Sequence, residues 1–233
     1  MSHFTVAVFH RKDQSVEELL APYSEDVRVP KRIDLTKEEA IEFARRHYGG
    51  FADKTDEECW DAVAADYEDD MKDEEGNLYT TYNPNSKWDW YSIGGRWGGE
   101  LRLKTGESCD EGRVGDLDFS DDEDEYEEGL RFWDACVEGK TFPGSEEYSS
   151  FYKKEYYFEY YGTREAYAKS LAEFSTFAVV TPDGTWHEKG RMGWFACSSE
   201  TPEEAKEWLA TYKEKFIDAA DPDWILTLVD CHI

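Results

Sequence analysis

Residues 82–99 read Tyr82-Asn83-Pro84-Asn85-Ser86-Lys87-Trp88-Asp89-Trp90-Tyr91-Ser92-Ile93-Gly94-Gly95-Arg96-Trp97-Gly98-Gly99, with one arginine and one tryptophan held between two glycine pairs. Glycine pairs weaken a strand and are tolerated where backbone must bend sharply or approach another group closely. With positive φ around Gly95, successive N–H groups can form a concavity for an anion. Arg96 could then grip a phosphate or carboxylate through two parallel hydrogen bonds. Trp88, Trp90, Tyr91 and Trp97 could stack on a base, as aromatic platforms do in single-strand binders. The competing reading is structural: core aromatics, and an internal ion pair of Arg96 with Asp89 or Asp230, stacked on Trp97.

A second group lies further along. His187 and Glu188 follow the turn Pro182-Asp183-Gly184, and Asp230, Cys231 and His232 lie near residue 233. If the two strands are neighbours, a carboxylate, two imidazoles and Arg96 would converge. That set suffices for general acid–base hydrolysis, or for a metal with His and Asp ligands. In an alternating strand Asp230 and His232 share a face, whereas His187 and Glu188 point oppositely, so only one of the latter can join. His187, Asp230 and His232 are therefore the catalytic candidates, with a hydrogen-bonded polar cluster as the ordinary alternative. No metal site is expected, and no cofactor motif is present.

Acidic residues form the third feature: 54 Asp and Glu stand against 26 Lys and Arg, for a net charge of -28. That charge opposes direct binding to nucleic-acid polymers or anionic membranes. It suits a basic protein partner, or solubility alone. Two runs, 56–75 and 116–128, could imitate the phosphate spacing of DNA in the basic groove of a nuclease. The residues that would carry this are Glu68, Asp69, Asp70, Asp73 and Glu74 in the first, and Asp121, Asp122, Glu123 and Asp124 in the second. The first rests partly on an expected helix, while the centre of the second, 120–125, reads as mobile.

The elements that must position these groups follow from local pattern. Residues 4–9 read as a buried strand, and 224–233 as another centred on 225–229. Capping boxes begin helices at Ser15, Thr36, Thr55 and Thr201, the last with Pro202 at the first helical position. Residues 78–82 and 101–103 read as short strands, and Trp88 and Trp90 are expected on one strand face with Asp89 and Tyr91 on the other. A short helix is expected over 130–137, and a long tyrosine-rich one over 148–174, interrupted at Gly162-Thr163. Residues 176–181 form a strand that turns through Pro182-Asp183-Gly184 into a return strand, and 192–196 reads as another short strand. Both terminal strands are strongly apolar and should meet in the centre of one sheet. The expectation is a single α+β domain over 1–233 with a mixed or antiparallel sheet, flanking helices and elaborations over about 50–175.

Five scattered cysteines, Cys59, Cys109, Cys136, Cys197 and Cys231, with no C-x-x-C spacing, suggest free thiols in a reducing compartment. The apolar run near residue 4 is too short for a signal peptide, and no stretch approaches a bilayer span, so a cytoplasmic protein is expected.

Three segments resemble an uncharacterised family met among bacteriophage, prophage and bacterial proteins. They are residues 82–97, the run 176–190 beginning Thr176-Phe177-Ala178-Val179-Val180, and the ending Leu228-Val229-Asp230-Cys231-His232-Ile233; the opening His3-Phe4-Thr5-Val6-Ala7-Val8-Phe9 looks similar too. The resemblance carries over no catalytic residues. It implies a setting, that of a small accessory protein acting against a host system. Charge and setting together lead to the expectation of an acidic accessory factor that binds, and inhibits, a basic host protein such as a nucleic-acid-processing defence factor. The alternative is a small-anion or nucleotide-binding module, either a sequestering protein or a hydrolase, centred on the double-glycine segment.

Overall fold

The strands around residues 3–10 and 225–232 pair with each other along their whole length. In the computed structural model, which describes residues 2–193 and 197–233, the strands in chain order are β1 (His3–His10), β2 (Arg28–Leu35), β3 (Leu78–Tyr82), β4 (Trp90–Ile93), β5 (Leu101–Arg102), β6 (Ser108–Cys109), β7 (Glu111–Arg113), β8 (Ala178–Val180), β9 (Trp186–Glu188) and β10 (Ile225–His232). The helices are α1 (Val16–Leu20), α2 (Lys37–His47), α3 (Asp56–Ala64), α4 (Glu123–Phe132), α5 (Lys154–Tyr160), α6 (Arg164–Ala172) and α7 (Pro202–Tyr212). The fold is α+β, and its principal sheet is mixed, with order β4-β10-β1-β8-β9 and β7 joining β10 beside β4. β1 pairs antiparallel with β10 and parallel with β8.

The chain divides into two compact units, one of Met1–Ser24 with Lys87–Ile233 and the other of Glu25–Ser86. In the first, side chains alternate across β1 and β10 and both faces are covered. Phe4, Val6, Val8, Val229 and Cys231 meet Val16, Leu19 and Leu20 of α1. Ala7, Phe9, Leu226 and Leu228 meet Tyr212 of α7 and Phe216 and Ile217 of the π-helical turn Lys213–Asp218 that continues it. A strand buried on both faces reads as a continuous apolar run, which explains the composition of β1 and β10. Buried Cys231 is an inert thiol, because burial pushes its ionisation well up.

In the second unit, α2 and α3 pack Ala40, Ala44, Cys59, Val63 and Ala64 against Leu78 of β3. Asp73 is committed locally. Its carboxylate accepts hydrogen bonds from the Asn77 and Tyr79 side chains and from the backbone of Glu75 and Asn77, and these bonds hold it below the usual carboxylate range. Glu68, Asp69, Asp70 and Glu74 remain exposed.

The capping boxes form at Ser15, Thr36, Thr55 and Thr201. Gly162, with φ of 80°, separates α5 from α6 at the expected break. Two expectations need correction. Within 120–125, expected as the mobile centre of an acidic run, residues 123–125 form the first turn of α4, because Asp122 caps the helix by accepting from the backbone N–H groups of Asp124 and Glu125. Arg102 pairs with that cap at 2.6 Å, and Glu123, Asp124 and Glu125 sit in the first turn, where the helix dipole favours carboxylates. The helix expected over 130–137 is the later part of this longer element, continued by the π-helical turn Trp133–Val137. The strand expected over 192–196 lies in part outside the described residues.

Candidate functional site

Pairing of β1 with β10 sets His3 opposite His232 and Thr5 opposite Asp230. β4 adds Trp90 opposite His232 and Ser92 opposite Asp230. Strand alternation places these side chains on one face. The cluster is fixed by two separate contacts. His3 Nδ1 lies 2.8 Å from Asp230 Oδ1, and His232 Nδ1 lies 2.6 Å from Asp89 Oδ1. A carboxylate only accepts, so each Nδ1 carries the hydrogen that it donates. The imidazoles meet edge to face with centroids 5.0 Å apart. Trp90 stacks on His232 at 5.1 Å and 15° and meets His3 edge-on at 5.3 Å.

His232 Nε2 is the unusual atom. It is buried, and no hydrogen-bond partner reaches it among the described residues, although buried polar atoms are nearly always paired. The side chain is only 7% exposed. The Trp90 indole stacked on it belongs to a residue that is 44% exposed, so the cover over this imidazole faces solvent.

The double-glycine bend is what brings Arg96 to this cluster. Gly94 and Gly95 have φ of 67° and 55°, and the backbone N–H of Arg96 donates to Asp230 Oδ2 at 3.1 Å. A Cβ at Gly95 would lie 2.4 Å from Asp230 Cβ and 2.7 Å from Ser92 Oγ, so the close approach excludes any side chain there. Gly99 donates to Asp110 Oδ1 at 2.6 Å. The concavity expected for an outside anion is thus taken up by the protein's own carboxylates, Asp230 and Asp110. The Arg96 side chain is left exposed, in no ion pair among the described residues. The internal ion pair weighed for it, with Asp89 or Asp230, is not made: Asp230 meets the Arg96 backbone and not its guanidinium.

The aromatic residues divide. Trp90 belongs to the cluster. Trp88 donates its indole N–H to Leu20 O at 3.1 Å and meets Tyr91 edge-on at 5.1 Å, both packing on the α1 side of the sheet. Trp88 and Trp90 therefore do not share a face. Asp89 breaks the alternation by accepting from the backbone N–H of Trp90 at 2.7 Å, so the regular strand starts only at Trp90. Trp97 packs on the α7 side with Leu101 and its neighbours.

His187 stands apart from Asp230 and His232. β8 and β1 lie between β9 and β10, and the His187 ring meets Phe216 at 5.3 Å. Glu188 pairs with Lys87 at 2.6 Å. The second imidazole of the cluster is His3, and the carboxylate on His232 is that of Asp89. Neither His3 nor Asp89 carries a motif of its own. Only antiparallel pairing of the two terminal strands, in the register that sets residue 3 against residue 232, could have identified His3. Among the described residues no group of three or more His, Cys, Asp or Glu is arranged to hold a metal ion. No described helix is long and apolar enough to cross a membrane.

No protein-family model matches the chain, and neither a curated protein nor a solved structure matches it.

Proposed function

We propose that this chain binds a small anionic ligand bearing a flat ring, of the nucleotide class, and that its imidazoles equip it for acid–base chemistry on the phosphate. The observation that carries the reading is the pair of imidazoles. Each is tied through Nδ1 to its own carboxylate, and His232 Nε2 is buried without a partner among the described residues. A carboxylate on Nδ1 orients a histidine and supports its protonated form during proton transfer. Arg96 joins the cluster through its backbone N–H on Asp230, and its exposed guanidinium is in no ion pair among the described residues. Trp90 supplies a half-exposed ring that a base can stack on or displace.

The test is a thermal melt of the protein with adenine nucleotides in excess. A ligand at about 100 times its Kd should raise Tm by roughly 5–10 °C for a chain of this size. Absence of any shift with nucleotides at millimolar concentration would overturn the reading.

One observation favours a second reading, that of a phage-type accessory factor engaging a basic host protein, the setting implied by the resemblance above. Phe151, Tyr152 and Phe158 are exposed at 95%, 51% and 50% on a chain of net charge -28. Exposed rings and carboxylates together suit arginine-bearing surfaces. A partner captured this way should be lost on raising salt from about 50 to 300 mM and on Phe151→Ala with Tyr152→Ala. Retention by that double variant would count against it.

A further inference from the structure

We propose that the cleft between β9 and α7 binds a short zwitterionic peptide with an aromatic side chain, at a site separate from the His3–His232 cluster. Its volume is about 590 Å³, within the roughly 300–1,000 Å³ usual for ligand pockets. β8 and β1 lie between β9 and β10, so the two sites do not meet across the sheet. Part of the lining is aromatic and already fixed. Trp208 donates its indole N–H to Thr176 O at 2.9 Å and meets Phe216 at 5.4 Å, and the His187 ring lies 5.3 Å from Phe216. Rings held this way can receive an aromatic side chain without being reordered. No hydrogen bond reaches the His187 ring among the described residues, so its nitrogens are open to a peptide amide.

The charges at the cleft select the two ends of the ligand. Most of them are committed: Glu188 pairs with Lys87 at 2.6 Å, Glu204 accepts from the Thr201 N–H at 2.8 Å, and Lys189 lies 3.6 Å from Glu200. Glu207 and Lys215 line the same cleft, and neither side chain has an ion pair or hydrogen bond among the described residues. One free carboxylate and one free ammonium leave no surplus of either sign. A dipolar ligand without net charge therefore suits the site better than an anion or a cation. Glu207, Thr211 and Lys215 follow at four-residue steps along α7 and the π-helical turn that continues it, and all three line the cleft. At about 1.5 Å per residue, Glu207 and Lys215 stand roughly 12 Å apart along the helix axis. The charged groups of a free amino acid are far closer together than that, whereas three extended residues span about 10 Å. The ligand ammonium meets Glu207, its carboxylate meets Lys215, and the ring between them rests on Trp208 and Phe216.

Calorimetry at neutral pH compares Ala-Phe-Ala with its N-acetylated, C-amidated and doubly blocked forms, and with Ala-Ala-Ala and phenylalanine. Ala-Phe-Ala should bind with Kd below about 1 mM. Each single block should weaken it at least about threefold, and Ala-Ala-Ala and phenylalanine should bind about tenfold more weakly. Glu207→Gln should abolish the effect of acetylation and keep that of amidation, and Lys215→Met should do the reverse. Both positions are exposed, and melting checks that both variants are folded. A doubly blocked peptide that binds as tightly as the free one overturns the zwitterion assignment. Phenylalanine binding as tightly as Ala-Phe-Ala overturns the peptide assignment, and equal binding of Ala-Ala-Ala removes the aromatic lining from the site. Acetylation that still weakens binding to Glu207→Gln overturns the placement of the ammonium. If Ala-Phe-Ala at millimolar concentration gives neither heat nor a change in tryptophan fluorescence, the cleft is not a peptide site, and the nucleotide reading of the other cluster is untouched.

Discussion

Arg96→Ala should weaken nucleotide binding by roughly 10- to 100-fold, from the loss of about 1.5–3 kcal/mol of charge-assisted hydrogen bonding, without lowering the melting temperature of the free protein. The two halves of this expectation have different origins. Affinity should fall because Arg96, whose backbone N–H meets Asp230, carries an exposed guanidinium that is in no ion pair among the described residues and is free to reach a bound anion. Stability should hold because the contact that Arg96 contributes to the fold is made by its backbone N–H, which the substitution keeps. Arg96→Lys should recover only part of the binding, since an ammonium cannot donate in parallel to two phosphate oxygens. Calorimetry with the tightest adenine ligand measures the first half and thermal melting the second. Unchanged affinity would remove Arg96 from the site, whereas a large fall in Tm would reveal a structural role.

Asp230→Ala should do the reverse and cost the free protein about 2–4 kcal/mol. The residue is 2% exposed on the central strand β10, and its carboxylate holds two donors at once, His3 through Oδ1 and the Arg96 N–H through Oδ2. Removing it leaves an imidazole N–H and a backbone N–H without acceptors, and frees the bend that Gly95 packs against the Asp230 side chain. Asp230→Asn preserves volume and one acceptor, so it should cost less, but it cannot accept from both donors. In denaturant titrations the alanine variant should shift to a lower midpoint with little change in slope, and the asparagine variant should fall between it and wild type. Equal stability for all three proteins would mean that solvent reaches this carboxylate.

Much of the architecture is legible in the chain. The apolar runs at β1 and β10 are continuous because both faces of the central strands are covered. Four Ser or Thr residues followed three positions later by Glu become capping boxes, since a motif that closes on itself within four residues depends little on the rest of the fold. The positive φ at Gly95 is likewise legible. Less of the site is. Strand alternation correctly unites Asp230 with His232. The same rule applied to 88–91 misplaces Trp88, because the side chain of Asp89 caps the next N–H and delays the regular strand. Setting His187 beside His232 assumes that their strands adjoin, a question of sheet order that local pattern does not address. His3 escapes sequence reading for the same reason, in that its partner lies 229 positions away and only pairing register brings them together. Charge alone makes 120–125 look mobile, whereas its carboxylates sit where a helix N-terminus welcomes them.

The position of β10 at the middle of the sheet has a consequence for biosynthesis. This strand is flanked by β1 on one side and by β4 and β7 on the other, yet it emerges from the ribosome after all of them. Until it does, three earlier strands lack their neighbour and His3 lacks its carboxylate. The sheet must therefore assemble after the preceding segments are made, by long-range closure that is slow in comparison with helix formation. A nascent chain halted before residue 225 should leave α1 and α7 without the strand they pack against, whereas α2 and α3, which close on β3, do not need it.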